Sequence, residues 1–263
     1  MVERCVRDAE VVGSNPVASI YEMLRNVEKD VPERFWYREE FCEVEFMAVY
    51  SKGNETKKRF VMLTYHKLCE KKASEITVRD LARENGCSAA ALYRHFESLE
   101  YLIAVASVRF LDEYMRQYAS LLDSDRDLLE IYIEGWELFN QYAFARPDIY
   151  YRLFWGTDNG VFGAAFQDYF ELFPFKGSEK YTAYYYTLLF NENMQERDFI
   201  VLRRLENARR ISSEDALFCS YTNPLIVKGL IMTAMDLDPK GRKGQEQLCN
   251  RLIRQNTLRN IQA

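Results

Sequence analysis

The chain is poor in the residues that most site chemistries require. His66 and His95 are the only histidines in 263 residues. A multi-histidine metal site is thereby excluded, and histidine acid–base chemistry has only those two residues to draw on. Six cysteines stand at 5, 42, 69, 87, 219 and 249 without a CxxC pair, so neither a zinc ribbon nor a dithiol redox motif is suggested. They read as reduced thiols, and the cytoplasm is the expected location. No acidic metal cluster, phosphate loop or nucleophile motif stands out; no catalytic residue, metal ligand or cofactor is assigned, and an enzyme is not expected. Long apolar runs are missing too. Residues 225–231, interrupted by Lys228, fall far short of the roughly 20 that span a bilayer, so no membrane partner is expected. Glycine (11) and proline (6) are too few for a many-turned β fold.

What is present suits an all-α protein, 48% hydrophobic and 29% charged. The net charge of −5 hides an uneven distribution: residues 51–106 hold ten Lys/Arg against seven Asp/Glu, the remainder 25 against 33. A small basic module on an acidic body needs only one surface to attract phosphate. Residues 1–46 are different again, with six Lys/Arg against eleven Asp/Glu and no sustained periodicity. Two readings stand for them. One is a flexible extension. The other is sequence upstream of the true start, because Gly13-Ser14-Asn15-Pro16 can be encoded by a run resembling the T-arm of a transfer-RNA gene; translation would then begin at Met47. Residues 1–55 are set aside as an extension on either reading.

From about residue 56 the apolar residues take up a helical rhythm. Phe60, Leu63, Thr64 and Leu68 share one face of a first helix, with Lys57, Lys58, Arg59, Lys67 and Lys71 mostly on the other. Thr77 is a good N-cap for a short second helix to about Glu84, with Val78, Leu81 and Ala82 inward. Gly86 can take the left-handed conformation that ends it, and Ser88 can cap a third helix, 89–95. A fourth is predicted over 98–120, and others over 126–145, 147–154, 164–173, 179–190, 194–209, 213–235 and 244–261. Pro147 suits a first helical position.

The stretch from Thr77 to Phe96 has helix-turn-helix character: Val78, Leu81, Cys87, Leu92 and Phe96 close a small core, and the outward face of the third helix, with Ala89, Ala90, Tyr93 and Arg94, is left available for a major groove. Two surface helices joined by an ordinary turn are the plainer alternative. The pieces Thr77-Val78-x-x-Leu81-Ala82, Gly86-x-Ser88 and Leu92-Tyr93-x-His95-Phe96 resemble, in order and spacing, the DNA-binding domain of the TetR family of repressors. The resemblance covers 56–106, roughly a fifth of the chain. Arg146-Pro147-Asp148-Ile149-Tyr150 is similar to that family's opening of its sixth helix.

The resemblance implies an N-terminal three-helix DNA-binding domain (56–106) followed by a helical ligand-binding and dimerisation domain (107–263). It implies double-stranded operator DNA, a small-molecule effector and a second copy of the chain as partners. Arg79 matches a position that reaches a base edge, and an Arg–guanine pair discriminates by roughly 1–3 kcal/mol. Arg94 is assigned the same role; a merely solvated arginine is the alternative for both. Ala89 and Ala90 offer close approach and contact with a thymine methyl. Tyr93, His95 and the Thr77 hydroxyl match phosphate-holding positions, with Ser88 at the cap and Lys57 adding sequence-independent attraction. Packing at the helix junction is the alternative for His95. Two residues depart from the pattern. Leu99 stands where a phosphate-binding Lys is common and Lys72 where a Gly is common, which implies weaker operator binding.

Fifteen aromatic residues fall within 146–190. A cavity walled by Phe154, Trp155, Phe166, Phe170, Tyr185 and Phe190, with Trp136 and Phe139 from the preceding helix, suits an apolar or aromatic effector; a filled aromatic core is the alternative. Tyr184, Tyr185 and Tyr186 point three ways around a helix, so they cannot all face one pocket. The last two helices carry Leu217, Tyr221, Leu225, Gly229 and Met232, and Leu248, Leu252 and Ile253, as the expected dimer faces. Altogether the sequence reads as a ligand-responsive transcriptional regulator. A helical adaptor with a decayed DNA-binding head is the second reading.

Overall fold

A computed structural model describes residues 43–156, 159–174 and 193–261, with 43–52, 159, 160 and 162 as backbone only. Contacts divide the chain into two units, Met1–Gly53 and Asn54–Ala263. Of the first, the described part is the opening of helix α1, Glu43–Glu70. The described residues of the second unit form helices joined by turns and short connections, with one isolated bridge between Ile211 and Ile261. Its helices are the remainder of α1, then α2 Val78–Glu84, α3 Ala89–Tyr93, α4 Leu99–Val108, α5 Asp112–Leu122 and α6 Leu128–Ala145. They continue as α7 Pro147–Trp155, α8 Asn159–Leu172, α9 Met194–Asn207, α10 Ser213–Ala234 and α11 Pro239–Arg259. No helix of the described residues is long and apolar enough to cross a membrane.

Side-chain caps set most of these boundaries. Thr77 Oγ1 accepts from Asp80 N at 3.2 Å, Ser98 Oγ from Tyr101 N at 3.0 Å, and Ser212 Oγ from Asp215 N at 3.0 Å. Asp127, Asn193 and Asp238 do the same for α6, α9 and α11. Each satisfies a first-turn amide that has no partner inside its helix. Gly86, at φ +67°, ends α2 with paired bonds from its own N–H to Arg83 O and from Cys87 N–H to Ala82 O.

Several expected boundaries move. The first helix begins at Glu43 and passes through Gly53, where an added Cβ would meet nothing. The predicted fourth helix is two, α4 and α5, joined by a 3-10 turn over Arg109–Leu111. The last helix begins at Pro239 because Asp238 caps it; Gly244, read as its start, is an interior residue. Ser88 stands at the N-cap of α3, but its side chain makes no capping bond. The helix expected over 179–190, with Tyr184, Tyr185, Tyr186 and Phe190, lies outside the described residues.

The core of the second unit is continuous. Phe60, Val61 and Leu68 of α1 join Leu81, Leu92 and Phe96, and the Phe60 and Phe96 rings meet edge-on at 6.4 Å. Every residue of α4 from Leu102 to Val108 is buried, so this helix has almost no solvent face. Beyond it, α6 packs against α5, α7, α9, α10 and α11 and forms the centre of the larger helical array.

Candidate functional site

Two places combine accessible space or surface with chemistry. The first is the surface built by α2, the Gly86 turn and α3. Leu92 is the buried residue of α3, and it seats the helix on the core so that Ala89, Ala90, Tyr93 and Arg94 all face solvent. Tyr93, with 55% of its surface exposed, is a large side chain that the fold itself does not use. Thr77, Arg79 and Ser88 are exposed beside it, and His95 and Lys57 are half-buried. None of the nine residues singled out from sequence is fully buried.

Its electrostatics are specific. Arg83 is tied to Asp80 at 2.7 Å and Lys67 to Glu84 at 2.7 Å, whereas Arg79 and Arg94 have no ion-pair partner among the described residues. Burial lowers the His95 pKa, and the charges of Lys57 and Arg94 lower it further. Lys57 and Arg94 are therefore close enough to His95 to disfavour its charged form, and an anion arriving there would favour it. Thr77 is less available than its position suggested: its Oγ1 donates to Asp80 Oδ2 at 2.8 Å while accepting from the Asp80 amide. That bond is the first cause of the lowered Asp80 pKa, with Arg83 adding to it. Lys72 has φ −68°, an ordinary extended conformation that does not require glycine. Leu99 packs against the core.

The second place is an internal cavity of about 50 Å³ among α5, α6 and α9. Tyr114, Tyr118, Trp136 and Phe139 supply aromatic walls, Met194 and Val201 aliphatic ones, and Arg197 and Asp198 the charge. Asp198 Oδ2 accepts from Tyr132 Oη at 2.9 Å and Oδ1 from Trp136 Nε1 at 2.8 Å. Burial raises its pKa to about 8, although both hydrogen bonds act in the other direction. Arg197, 7% exposed, lays its guanidinium over the Phe154 ring at 4.8 Å. Gly135 lets the Tyr118 ring approach the α6 backbone, since a Cβ there would lie 2.9 Å from Tyr118 Cε2.

The aromatic residues proposed from sequence divide between places. Trp136 and Phe139 line this cavity. Phe154 and Trp155 pack on Phe139, with centroids 5.2 and 6.4 Å away, and Trp155 also borders an open cleft of about 710 Å³ beside Tyr101 and Tyr151. Phe166 and Phe170 pair at 4.6 Å and belong with Tyr169 on α8. Tyr185 lies outside the described residues. Sequence reasoning missed Tyr114, Tyr118, Tyr132, Arg197 and Asp198. A usable signal was present in α9, where Met194, Val201 and Leu205 make an apolar stripe that Arg197 and Asp198 interrupt with charge.

Among the described residues no group of three or more His, Cys, Asp or Glu side chains is placed to hold a metal ion. No protein-family model matches the chain, and no curated protein matches it.

Proposed function

We infer that the chain is a dimeric, ligand-responsive DNA-binding regulator, most simply a repressor released from a palindromic operator by a small apolar or aromatic molecule. The observation that carries this reading is the surface of α3. A five-residue helix is held by one buried leucine and otherwise presents alanines and an exposed tyrosine, with Arg94 at its C-cap and Arg79 on α2 without carboxylate partners among the described residues. In this reading α2, the Gly86 turn and α3 form a helix-turn-helix, α3 enters the major groove, and Lys57, Tyr93 and His95 meet phosphate. Arg79 and Arg94 are the base-reading candidates.

Dimerisation is supported by a row of apolar side chains left uncovered on α10. Leu217, Tyr221, Leu225 and Met232 recur at helical spacing, each about half or more exposed, with Leu225 at 64%. Leu252 of α11 is exposed as well. Ile253, expected on the same face, is buried in its own protomer. A two-fold pair would set two copies of α3 about 34–36 Å apart, one turn of DNA. The effector is assigned to the cavity among α5, α6 and α9.

Footprinting on the DNA upstream of the gene tests the proposal. Two protected half-sites one turn apart are expected, with an affinity that falls steeply with salt. The double substitution Arg79→Glu, Arg94→Glu should abolish protection while leaving the helical circular dichroism intact. An adaptor with a decayed head gives no footprint at any salt concentration.

A further inference from the structure

The carboxyl group at the cavity wall is the first rung of a ladder of hydrogen bonds that runs from the buried interior to the half-buried Asn256 and Thr222. Tyr132 Oη donates to Asp198 and accepts from Asn223 Nδ2 at 2.8 Å. Asn223 Nδ2 also reaches Thr257 Oγ1 at 3.4 Å, and Asn223 Oδ1 accepts from Asn256 Nδ2 at 2.9 Å. Asn256 Nδ2 donates again, to Thr222 Oγ1 at 2.8 Å. Six side chains thus connect α9 and α6 to α10 and α11, and Asn223 and Thr257 are completely buried. Thr222, at the far end, neighbours Tyr221 on the uncovered apolar row of α10.

Such a ladder has two well-defined conditions. Fully bonded, it fixes the relative placement of four helices; with one rung broken, the next donor or acceptor is left unpaired in a dry interior and must find another arrangement. The cavity's size supplies the trigger. At about 50 Å³ it is well below the roughly 150 Å³ that accommodates a benzene ring. A ring can enter only by moving the walls, and Trp136 and Tyr132 are walls whose polar atoms hold Asp198.

We propose that Asp198, Tyr132, Asn223 and Asn256 carry the state of the cavity to the α10–α11 pair, so that filling the cavity loosens the helices bearing the apolar row. These are positioning residues. The trigger rests on the effector reading of the cavity; the ladder does not.

Amide hydrogen exchange of the full chain separates the two. Trp136→Phe keeps an aromatic wall and removes only the N–H that holds Asp198. It should accelerate exchange at amides 222, 223 and 256–258 at least tenfold relative to amides 102–108, which report global unfolding. Tyr132→Phe should give the same pattern, and it serves if the first variant does not fold. Asp198→Asn should fall between the wild type and these two variants, because its amide oxygen still accepts from Trp136 while its NH2 takes away the acceptor of the Tyr132 O–H. Acceleration confined to α6 and α9 overturns the ladder. Indole added to the wild-type chain should reproduce the Trp136→Phe pattern. If the substitution acts and indole does not, the ladder stands and the effector reading of the cavity falls.

Discussion

Burial lowers the His95 pKa with help from Lys57 and Arg94, whereas burial raises that of Asp198 against two hydrogen bonds that oppose it. The two charges that act on His95 are both positive, and Arg79 and Arg94 have no carboxylate partner among the described residues, so balancing charge for them must come from outside the protomer. Inside the α6–α9 region each carboxylate oxygen already has a donor from its own chain. The difference teaches how each region can respond. The exposed one reacts to what is brought to it, and the closed one reacts to displacement of what it already holds.

The comparison can be broken most forcefully at Leu92, which alone seats the exposed helix. Leu92→Ala should cost about 2–5 kcal/mol in urea denaturation; a loss under about 1 kcal/mol would mean that α3 does not depend on that core. The next effect concerns the closed region. Asp198 keeps its proton in the folded chain up to about pH 8, against 3.8 for an ordinary aspartate, so folding takes up a proton between those limits. Its contribution is complete below about pH 4 and is lost as pH rises to about 8, with a slope of at most about 1.4 kcal/mol per pH unit. Asp198→Asn should flatten the stability profile in that window, and identical slopes in both proteins would refute the closed-site description. Gly135→Ala drives a methyl into the Tyr118 ring and should cost about 1–3 kcal/mol by thermal or urea denaturation.

A smaller pair of effects comes from two turns of the same design. Arg209, at φ 56°, ends α9 with the bonds that Gly86 uses at α2: its N–H to Glu206 O, and Arg210 N–H to Leu205 O. Gly86→Ala should destabilise, and Arg209→Gly should stabilise, each by about 1 kcal/mol. The smallest effect is at Gly229, an exposed α10 position where a Cβ would meet nothing in the protomer. Gly229→Ala should stabilise the isolated chain by roughly 0.5–1 kcal/mol. Sedimentation should show weaker self-association in the same variant if a partner helix approaches there.

The two regions also differ in how far they could be read in advance. Thr77, Gly86 and Leu92 act within a few residues of themselves, through a cap, a left-handed turn and one inward apolar position. Such local rules show in a string of letters, and they placed α2 and α3 to within two residues. The Asp198 site depends on residues 62 and 66 positions away in sequence, and Asn223 is 91 from Tyr132. Periodicity marks which faces turn inward but not which inward faces meet. For the same reason the aromatic residues of α7 and α8 were expected in one cavity, whereas Phe139 gathers Phe154 and Trp155, and Phe166 and Phe170 pack with each other.

Helix α4 has a mechanical consequence. A rod enclosed on all sides from Leu102 to Val108 cannot roll or slide without opening voids in close-packed surroundings. Motion at its C-terminal end, where Arg109 grips Tyr169 and Asp112, must therefore reach its N-terminal end, four residues from His95, as the tilt of a stiff lever. An angle changed at one end of such a rod becomes a displacement at the other, where the five non-helical residues 94–98 join it to α3.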